Sequence, residues 1–238
     1  MKIAIIGYGK MGKEIEKVAK ERSHEISLII NIDNLSDLNI PNLKKVDVAI
    51  DFTTPSTVIE HILTCFDADI PIVTGTTGWN SDHKNIIDIC IERKQSLFIS
   101  SNFSIGVNIF FAVNEFLAKL MNQFPQYDVS IKETHHTQKL DAPSGTAISL
   151  ADHIINNLDR KSSWELNSQS TQEAIEIDAI REGEIKGIHD VIYDSEIDYL
   201  TIKHYTKSRK GLAFGAVLAA EFILNKKGVF TMKDLTGL

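Results

Sequence analysis

The 238-residue chain reads as an α/β protein, a Rossmann-like doubly wound parallel sheet joined to an α+β domain. Three observations predict this. Across roughly the first hundred residues, short apolar runs alternate with helical stripes, the pattern of right-handed strand–helix–strand crossovers. A glycine segment, GYGKMG (7–12), stands directly between the first run and the first helix. After Asn102 the texture changes to a long amphipathic segment and runs of period two, as expected of a separate sheet.

KIAIIG (2–7) is a buried-strand run. MGKEIEKVAKER (11–22) carries Met11, Ile15, Val18 and Ala19 on one stripe and charges elsewhere, so it is expected to be a helix. ISLIINID (26–33), VDVAIDF (46–52), IPIVTGT (70–76) and SLFIS (96–100) are expected strands, with helices over 56–66 and 83–93 between them. A helix follows over 106–123, then a half-exposed strand at 126–134 and a helix from Ser144 to about Leu158. The polar stretch 159–173 reads as an irregular connection. EAIEIDAIR (173–181), IHDVIYD (188–194) and DYLTIKHYT (198–206), punctuated by Gly183, Gly187 and Asp194-Ser195-Glu196, read as antiparallel strands. A closing apolar helix is expected over 215–228. The division this suggests is a dinucleotide-binding domain at 1–104, completed by 213–238, and a second domain at 105–212.

The composition narrows the function. The chain is 43% hydrophobic and 24% charged with a net charge of −7, and it has no dense Lys/Arg block. A nucleic-acid or anionic-membrane surface is therefore not expected. No apolar run is long enough to span a bilayer, and MKIAIIGYGK is too short and too glycine-broken for a signal peptide. Cys65 and Cys90 share no metal-ligand or redox spacing, which points to a reduced, cytoplasmic setting.

In GYGKMG the G-x-G-x-x-G spacing lets the backbone turn tightly and approach a pyrophosphate, whose charge would rest on the helix N-terminus. Gly7, Tyr8, Gly9, Lys10, Met11 and Gly12 are the candidate residues. Asp33, 21 residues beyond Gly12, suits the adenosine ribose hydroxyls. Asn34, Leu35 and Ser36 beside it supply no cation for a 2′-phosphate, which favours NADH over NADPH, although Lys10 is within reach from the glycine loop. Two further loops follow strands: TGTTGW (74–79), with Gly75, Thr76 and Thr77 for a nicotinamide ribose or carboxamide, and SSNFSIG (100–106), with Ser100, Ser101, Asn102 and Phe103. Phe52 and Phe103 are candidates to flank the nicotinamide ring.

ETHHTQKLDAPSGTA (133–147) is the densest stretch chemically. Adjacent strand residues point to opposite faces, so His135 and His136 do not readily chelate one metal ion, and no metal site is expected. Ser144 lacks the glycine elbow of a nucleophile. Two readings stay open on the residues alone. In one, His135, His136 and Lys139 stand over the open N–H groups of a helix starting at Ser144-Gly145-Thr146, a set suited to a carboxylate-bearing substrate that takes up a proton. In the other, the stretch is a helix-capping loop with incidental histidines.

Written E-T-H-H-T-Q-K-L-D-A-P-S-G-T-A, the stretch resembles the signature of the dihydrodipicolinate reductase (4-hydroxy-tetrahydrodipicolinate reductase) family, E-x-H-H-x-x-K-x-D-A-P-S-G-T-A. GYGKMG, IDFTTP (50–55), GTTGW (75–79), SNFSIGVN (101–108) and IKHYTKSRKGLAFGA (202–216) follow in family order, so the resemblance covers essentially the whole chain. It implies NAD(P)H-dependent reduction of a cyclic dicarboxylate, 4-hydroxy-tetrahydrodipicolinate, to tetrahydrodipicolinate in lysine and diaminopimelate biosynthesis. His135 would be the acid–base residue and Lys139 a proton donor that also binds substrate. His136, Gly145 and Thr146 would hold the substrate carboxylates, and a homotetramer would assemble through the open sheet of the second domain. The chain departs from the pattern at Ser101, where proline is frequent, at Ser130, where glutamate is frequent, and at Asn34, where arginine often follows the ribose-binding acid. The last bears on cofactor preference. The rival readings are another two-domain NAD(P) dehydrogenase, which leaves PSGTA unexplained, and a non-catalytic NAD(H)-binding regulator, which has no need of the His135–Lys139 set.

Overall fold

A computed structural model describes residues 1–167 and 171–238. They form two compact units, one of residues 1–105 with 209–238 and the other of residues 106–208.

In the first unit, strands β1 (Lys2–Ile6), β2 (Glu25–Ile30), β3 (Val48–Asp51), β4 (Ile72–Thr74), β5 (Ser96–Ile99) and β11 (Gly228–Phe230) form one parallel sheet in the order β11-β5-β4-β3-β1-β2. Helices α1 (Lys10–Glu21), α2 (Ile40–Leu43), α3 (Val58–Asp67), α4 (Asn80–Glu92), α7 (Lys210–Ile223) and α8 (Met232–Thr236) belong to this unit. The period-two geometry of β1 splits the core. Ile3 and Ile5 pack in one cluster with Ile15, Val18, Val217 and Ala220, and Ala4 and Ile6 in another with Ile62, Cys65, Ile86 and Cys90. Burial on both faces is why these strands read as continuous apolar runs rather than alternating ones.

Several expectations shift here. β2 ends at Ile30, and the chain then enters a 3-10 turn over Ile32–Asp37. This turn is nucleated by Asn31 and Asn34, whose side chains accept backbone N–H groups reciprocally. Asp33 therefore lies on a turn and not at a strand end. The closing helix starts at Lys210 and stops at Ile223, after which Gly228–Phe230 pairs with β5 as a sixth strand.

In the second unit, α5 (Ile105–Met121) and α6 (Gly145–Ile155) cover one face of a mixed sheet with the order β10-β9-β6-β8-β7. The strands are β6 (Asp128–His135), β7 (Ser163–Leu166), β8 (Ala174–Arg181), β9 (Ile188–Asp194) and β10 (Tyr199–Tyr205). Val129, Ile131, Ile175, Ile177, Val191 and Tyr193 point to that face and meet Phe110, Ala118, Leu150 and Ile154. Lys132, Thr201 and Lys203 on the other face are exposed.

Two corrections follow. β8 is not part of an antiparallel meander: it runs parallel to both β6 and β7, while β9 pairs antiparallel with β6 and β10. The expected irregular connection at 159–173 contains strand β7, held on β8 and partly buried through Trp164 and Leu166. Residues 168–170 of that stretch lie outside the described residues.

Candidate active site

In the first unit the glycine loop lies where the strand order reverses, between β2-β1 and β3. Gly7 turns the chain with φ +91°, and a Cβ there would stand 2.2 Å from the Phe52 carbonyl oxygen. Gly12 is buried, where a Cβ would meet the Gly7 carbonyl oxygen at 2.3 Å. Gly9 caps α1, and a Cβ there would touch nothing within 4 Å. The loop thus combines a forced turn, close helix–strand packing and one open approach to the first N–H groups of α1, an arrangement that fits a pyrophosphate. Of the other loop residues, Tyr8 donates its hydroxyl to Glu16, Lys10 is exposed and Met11 packs on the core.

A cavity of about 390 Å³ opens beside the loop, lined by Gly7–Gly9, by Ile30–Ile32 and Leu35, and by Thr53, Thr54, Thr57 and His61. Asp33 is exposed on the turn that forms one wall. Asn34 turns inward, donating to the Ile29 carbonyl at 2.9 Å and to Asp37 at 3.1 Å.

Beneath the loops after β3 and β4 is a fully buried carboxylate that the sequence did not single out. Asp51 accepts hydrogen bonds from Thr76 Oγ1 at 2.7 Å and Thr53 Oγ1 at 3.0 Å, and its other oxygen is 2.8 Å from His61 Nδ1. Thr76 Oγ1 also accepts the Thr53 N–H at 2.8 Å. The Thr76 hydroxyl, expected to serve the cofactor, is thus committed to bracing the two loops. Gly75 passes under the Phe52 ring, where a Cβ would sit 2.2 Å from Cε1, and Thr77 is exposed.

Ser100 and Asn102 bond one another, Asn102 also receives the Ser104 N–H, and Ser101 is exposed. Phe103 is corrected outright. Its ring is 1% exposed and packs at 5.7 Å on both Phe98 and Phe52, so it is a core residue and does not flank a nicotinamide with its side chain.

In the second unit the sheet assembles the titratable groups. Glu133 and His135 lie on the helix-covered face of β6, two residues apart. Register places His189 of β9 opposite Glu133, and Arg181 of β8 opposite His135. Glu133 is fully buried. Its carboxylate accepts the Ser144 N–H at 3.1 and 3.2 Å and Arg181 at 3.1 Å, with His189 Nε2 at 3.7 Å. Burial pushes this carboxyl up, but the adjacent His189 ring, the Ser144 N–H, the charge of His135 and the bond from Arg181 outweigh burial and hold it at about 2.

His135 Nδ1 is buried without a hydrogen-bond partner and faces Glu133 Oε2 at 3.4 Å. Burial lowers the imidazole to about 4; Glu133 pulls it up against that, and His189, Lys139 and Arg181 push it further down. The backbone at Gly187 presses close, since a Cβ there would come within 3.1 Å of His135 Nε2.

Beyond His135 the chain turns through His136–Lys139, closed by the Lys139 N–H on the His136 carbonyl at 3.1 Å. Lys139 Nζ rests on both oxygens of Asp141 at 2.8 and 2.7 Å. Arg181 braces this loop by donating to the Asp141 carbonyl at 2.6 Å and the Lys139 carbonyl at 3.3 Å. Ser144 caps α6 by accepting the Ala147 N–H at 3.2 Å, and its hydroxyl lies 3.1 Å from His189 Nε2. That leaves the N–H groups of Gly145 and Thr146 without an intrahelical acceptor. Gly145 is exposed, and a Cβ there would touch nothing within 4 Å. His135, His136, Lys139, Gly145 and Thr146 are therefore neighbours in one loop and helix end, and sequence reading gave no role to Glu133, Arg181 or His189.

Glu133, His135 and His189 also bring ligand atoms within 4.8 Å of one another. The donor set is a poor match for a resident divalent ion. Both Glu133 oxygens already accept N–H donors, one of them from the Arg181 guanidinium, and a second cation would stand against the first.

Comparison with known proteins agrees along the whole chain. Residues 1–103 match the family model for the N-terminus of dihydrodipicolinate reductase, and residues 106–236 the model for its C-terminus. A 4-hydroxy-tetrahydrodipicolinate reductase of Christiangramia forsetii is 44% identical over 99% of this chain and 97% of that protein. One from Thermosipho africanus is 36% identical with the same coverage. A solved structure of dipicolinate-bound dihydrodipicolinate reductase from Paenisporosarcina sp. TG-14 superposes with a TM-score of 0.78 at 25% identity, covering 97% of each chain.

Proposed function

The chain belongs to the dihydrodipicolinate reductase family, and we propose that it reduces 4-hydroxy-tetrahydrodipicolinate to tetrahydrodipicolinate with a reduced nicotinamide cofactor, in lysine and diaminopimelate biosynthesis. The observation that carries this reading is the loop after β6. There a buried histidine, a lysine and an open helix N-terminus follow one another along residues 135–146, within a chain whose residues 1–103 and 106–236 match the family.

The bound cofactor supplies a hydride to ring carbon 4 of the substrate. Gly7–Gly12 would hold its pyrophosphate, with Gly75–Thr77 and the backbone of Ser100–Phe103 on its nicotinamide half. NADH is favoured over NADPH. Asp33 suits ribose hydroxyls, the turn over Ile32–Asp37 contains no cation, and Asn34 is committed to its own turn. Lys139 would exchange Asp141 for a substrate carboxylate, joined by His136 and by the N–H groups of Gly145 and Thr146. Once the 4-hydroxyl has left as water together with a proton from ring carbon 3, hydride addition at carbon 4 of the conjugated imine would push an electron pair into an enamine, and His135 would deliver the proton that carbon 3 then gains. The two negative charges of the bound dicarboxylate favour the imidazolium, raising a group that burial holds low in the free protein.

Assembly as a cytoplasmic homotetramer through the uncovered face of the second sheet completes the reading. Among the described residues no helix is long and apolar enough to cross a membrane.

The test is turnover of enzymatically generated substrate by the purified chain with NADH and NADPH in turn. The reading expects turnover with both and a higher kcat/KM for NADH. Intact NADH binding without turnover would leave a binding protein instead.

A further inference from the structure

We infer that Glu133 is a positioning residue for the reduction: its buried carboxylate locks the acid histidine, the first turn of α6 and the lysine loop into one register and keeps a fixed anion beside the His135 imidazolium. The inference rests on the reading of His135 as proton donor, and it adds what makes that donor work.

The geometry is specific to this carboxylate. Its neighbours come from four separate segments: His189 across β9, Arg181 on β8, the Ser144 N–H at the start of α6, and His135 two residues along β6. The Ser144 contact fixes the helix end that carries Gly145 and Thr146. Arg181 passes the constraint on, because the guanidinium that meets Glu133 also holds the carbonyls of Lys139 and Asp141. A buried group with these partners is costly to place unless each partner is needed.

Charge gives the second strand of the argument. The groups facing His135 are Glu133 on its own strand, His189 on β9, Arg181 on β8 and Lys139 on the following loop. Three of these are cationic or can become so, and Glu133 is the one anion among them. Without it the imidazole would stand among cations and beside a substrate whose carboxylates are themselves clamped by Lys139. The 3.4 Å gap between His135 Nδ1 and Glu133 Oε2, with Nδ1 otherwise unpartnered, leaves room to close into a hydrogen bond when the ring takes a proton.

A general acid works in its protonated form, so kcat falls as pH rises through the pKa of the donor. Removing the anion lowers that pKa. In Glu133→Gln the alkaline limb of the kcat–pH profile should move to lower pH by about 1–3 units, while the cofactor KM stays near the parent value. Glu133→Asp, which keeps the charge, should restore the limb toward its parent position.

A uniform fall in kcat with the limb unmoved would overturn the inference and leave Glu133 a purely structural residue. Should Glu133→Gln fail to fold because Arg181 is left uncompensated, the double variant Glu133→Gln/Arg181→Gln removes both charges. It should still show a downward shift, smaller than in the single variant, because losing Arg181 raises His135 but Glu133 acts on it more strongly. His135→Ala measured alongside separates this inference from the reading beneath it. If the alkaline limb survives in His135→Ala, His135 is not the donor and the reading itself fails. If the limb vanishes there yet does not move in the Glu133 variants, only the positioning role fails.

Discussion

Among the described residues each unit holds one fully buried carboxylate near the end of a central strand, and the two are wired differently. Asp51 in the first unit is met by the hydroxyls of Thr53 and Thr76 in the loops it supports and by His61 of α3. Glu133 in the second unit is met by the Arg181 guanidinium of β8, a helix N–H, His189 of β9 and His135 of its own strand. Asp51 thus stitches backbone segments together and touches nothing expected to change charge during a reaction. Glu133 does the same stitching but also faces His135, the histidine we propose gains and loses a proton. A buried carboxylate is therefore not a mark of chemistry by itself. Its neighbours decide, and on the proposed function they separate a binding unit from a reacting one.

That contrast can be broken most severely at His135. His135→Ala should lower kcat by about 10²–10⁴-fold and leave NADH affinity unchanged, measured by steady-state rates and by fluorescence titration. A large loss of NADH affinity would mean the division of labour is wrong.

Asp51→Asn comes next. It breaks the pairing with His61 and should destabilise the protein by about 1–3 kcal/mol, seen in denaturant unfolding, with a raised cofactor KM. The kcat–pH profile should keep its shape, in contrast to the Glu133 variants. A moved pH limb would erase the distinction between the two carboxylates.

The smallest expected effect is at the cofactor turn. Asn34→Arg should raise the NADPH-to-NADH ratio of kcat/KM by about tenfold, the worth of one charge-assisted hydrogen bond, at some cost in stability through loss of the Asn31–Asn34 exchange. An unchanged ratio would show that the 2′ position is read from elsewhere, with Lys10 the first residue to examine.

The strand–helix alternation of the first unit was legible because buried parallel strands are apolar throughout and their helices striped. The glycine loop was legible because its spacing is local. What escaped depends on distance in sequence or on small polar exchanges. Asn31 and Asn34 turn the expected strand end at Asp33 into a 3-10 turn by bonding backbone N–H groups, which no hydropathy pattern reports. β7 escaped because it is a short strand paired with β8 whose two apolar residues, Trp164 and Leu166, stand in an otherwise polar stretch. The parallel placement of β8 beside β6 escaped because nothing local encodes sheet order.

In the site, His135, His136, Lys139, Gly145 and Thr146 lie within a dozen residues and were found together. Arg181 and His189 join them only through the order β9-β6-β8, so sequence spacing carried no signal for them. Glu133 was within reach, since a carboxylate two residues before a candidate acid on a strand must share its face. Phe103 misled because an aromatic in a ligand-facing loop looks the same in sequence whether its ring turns to the ligand or to the core.

The central claim is that the loop and helix end of residues 133–146 bind a dicarboxylate through Lys139 and hold it for a proton from His135. Calorimetric titration of the NADH-loaded protein with dipicolinate, a planar dicarboxylate, tests it most directly. The account predicts binding to the parent chain, a loss of about tenfold or more in Lys139→Ala from the missing charge-assisted contact, and nearly unchanged affinity in His135→Ala. Equal affinity in the parent and Lys139→Ala, or no binding to either, would contradict it.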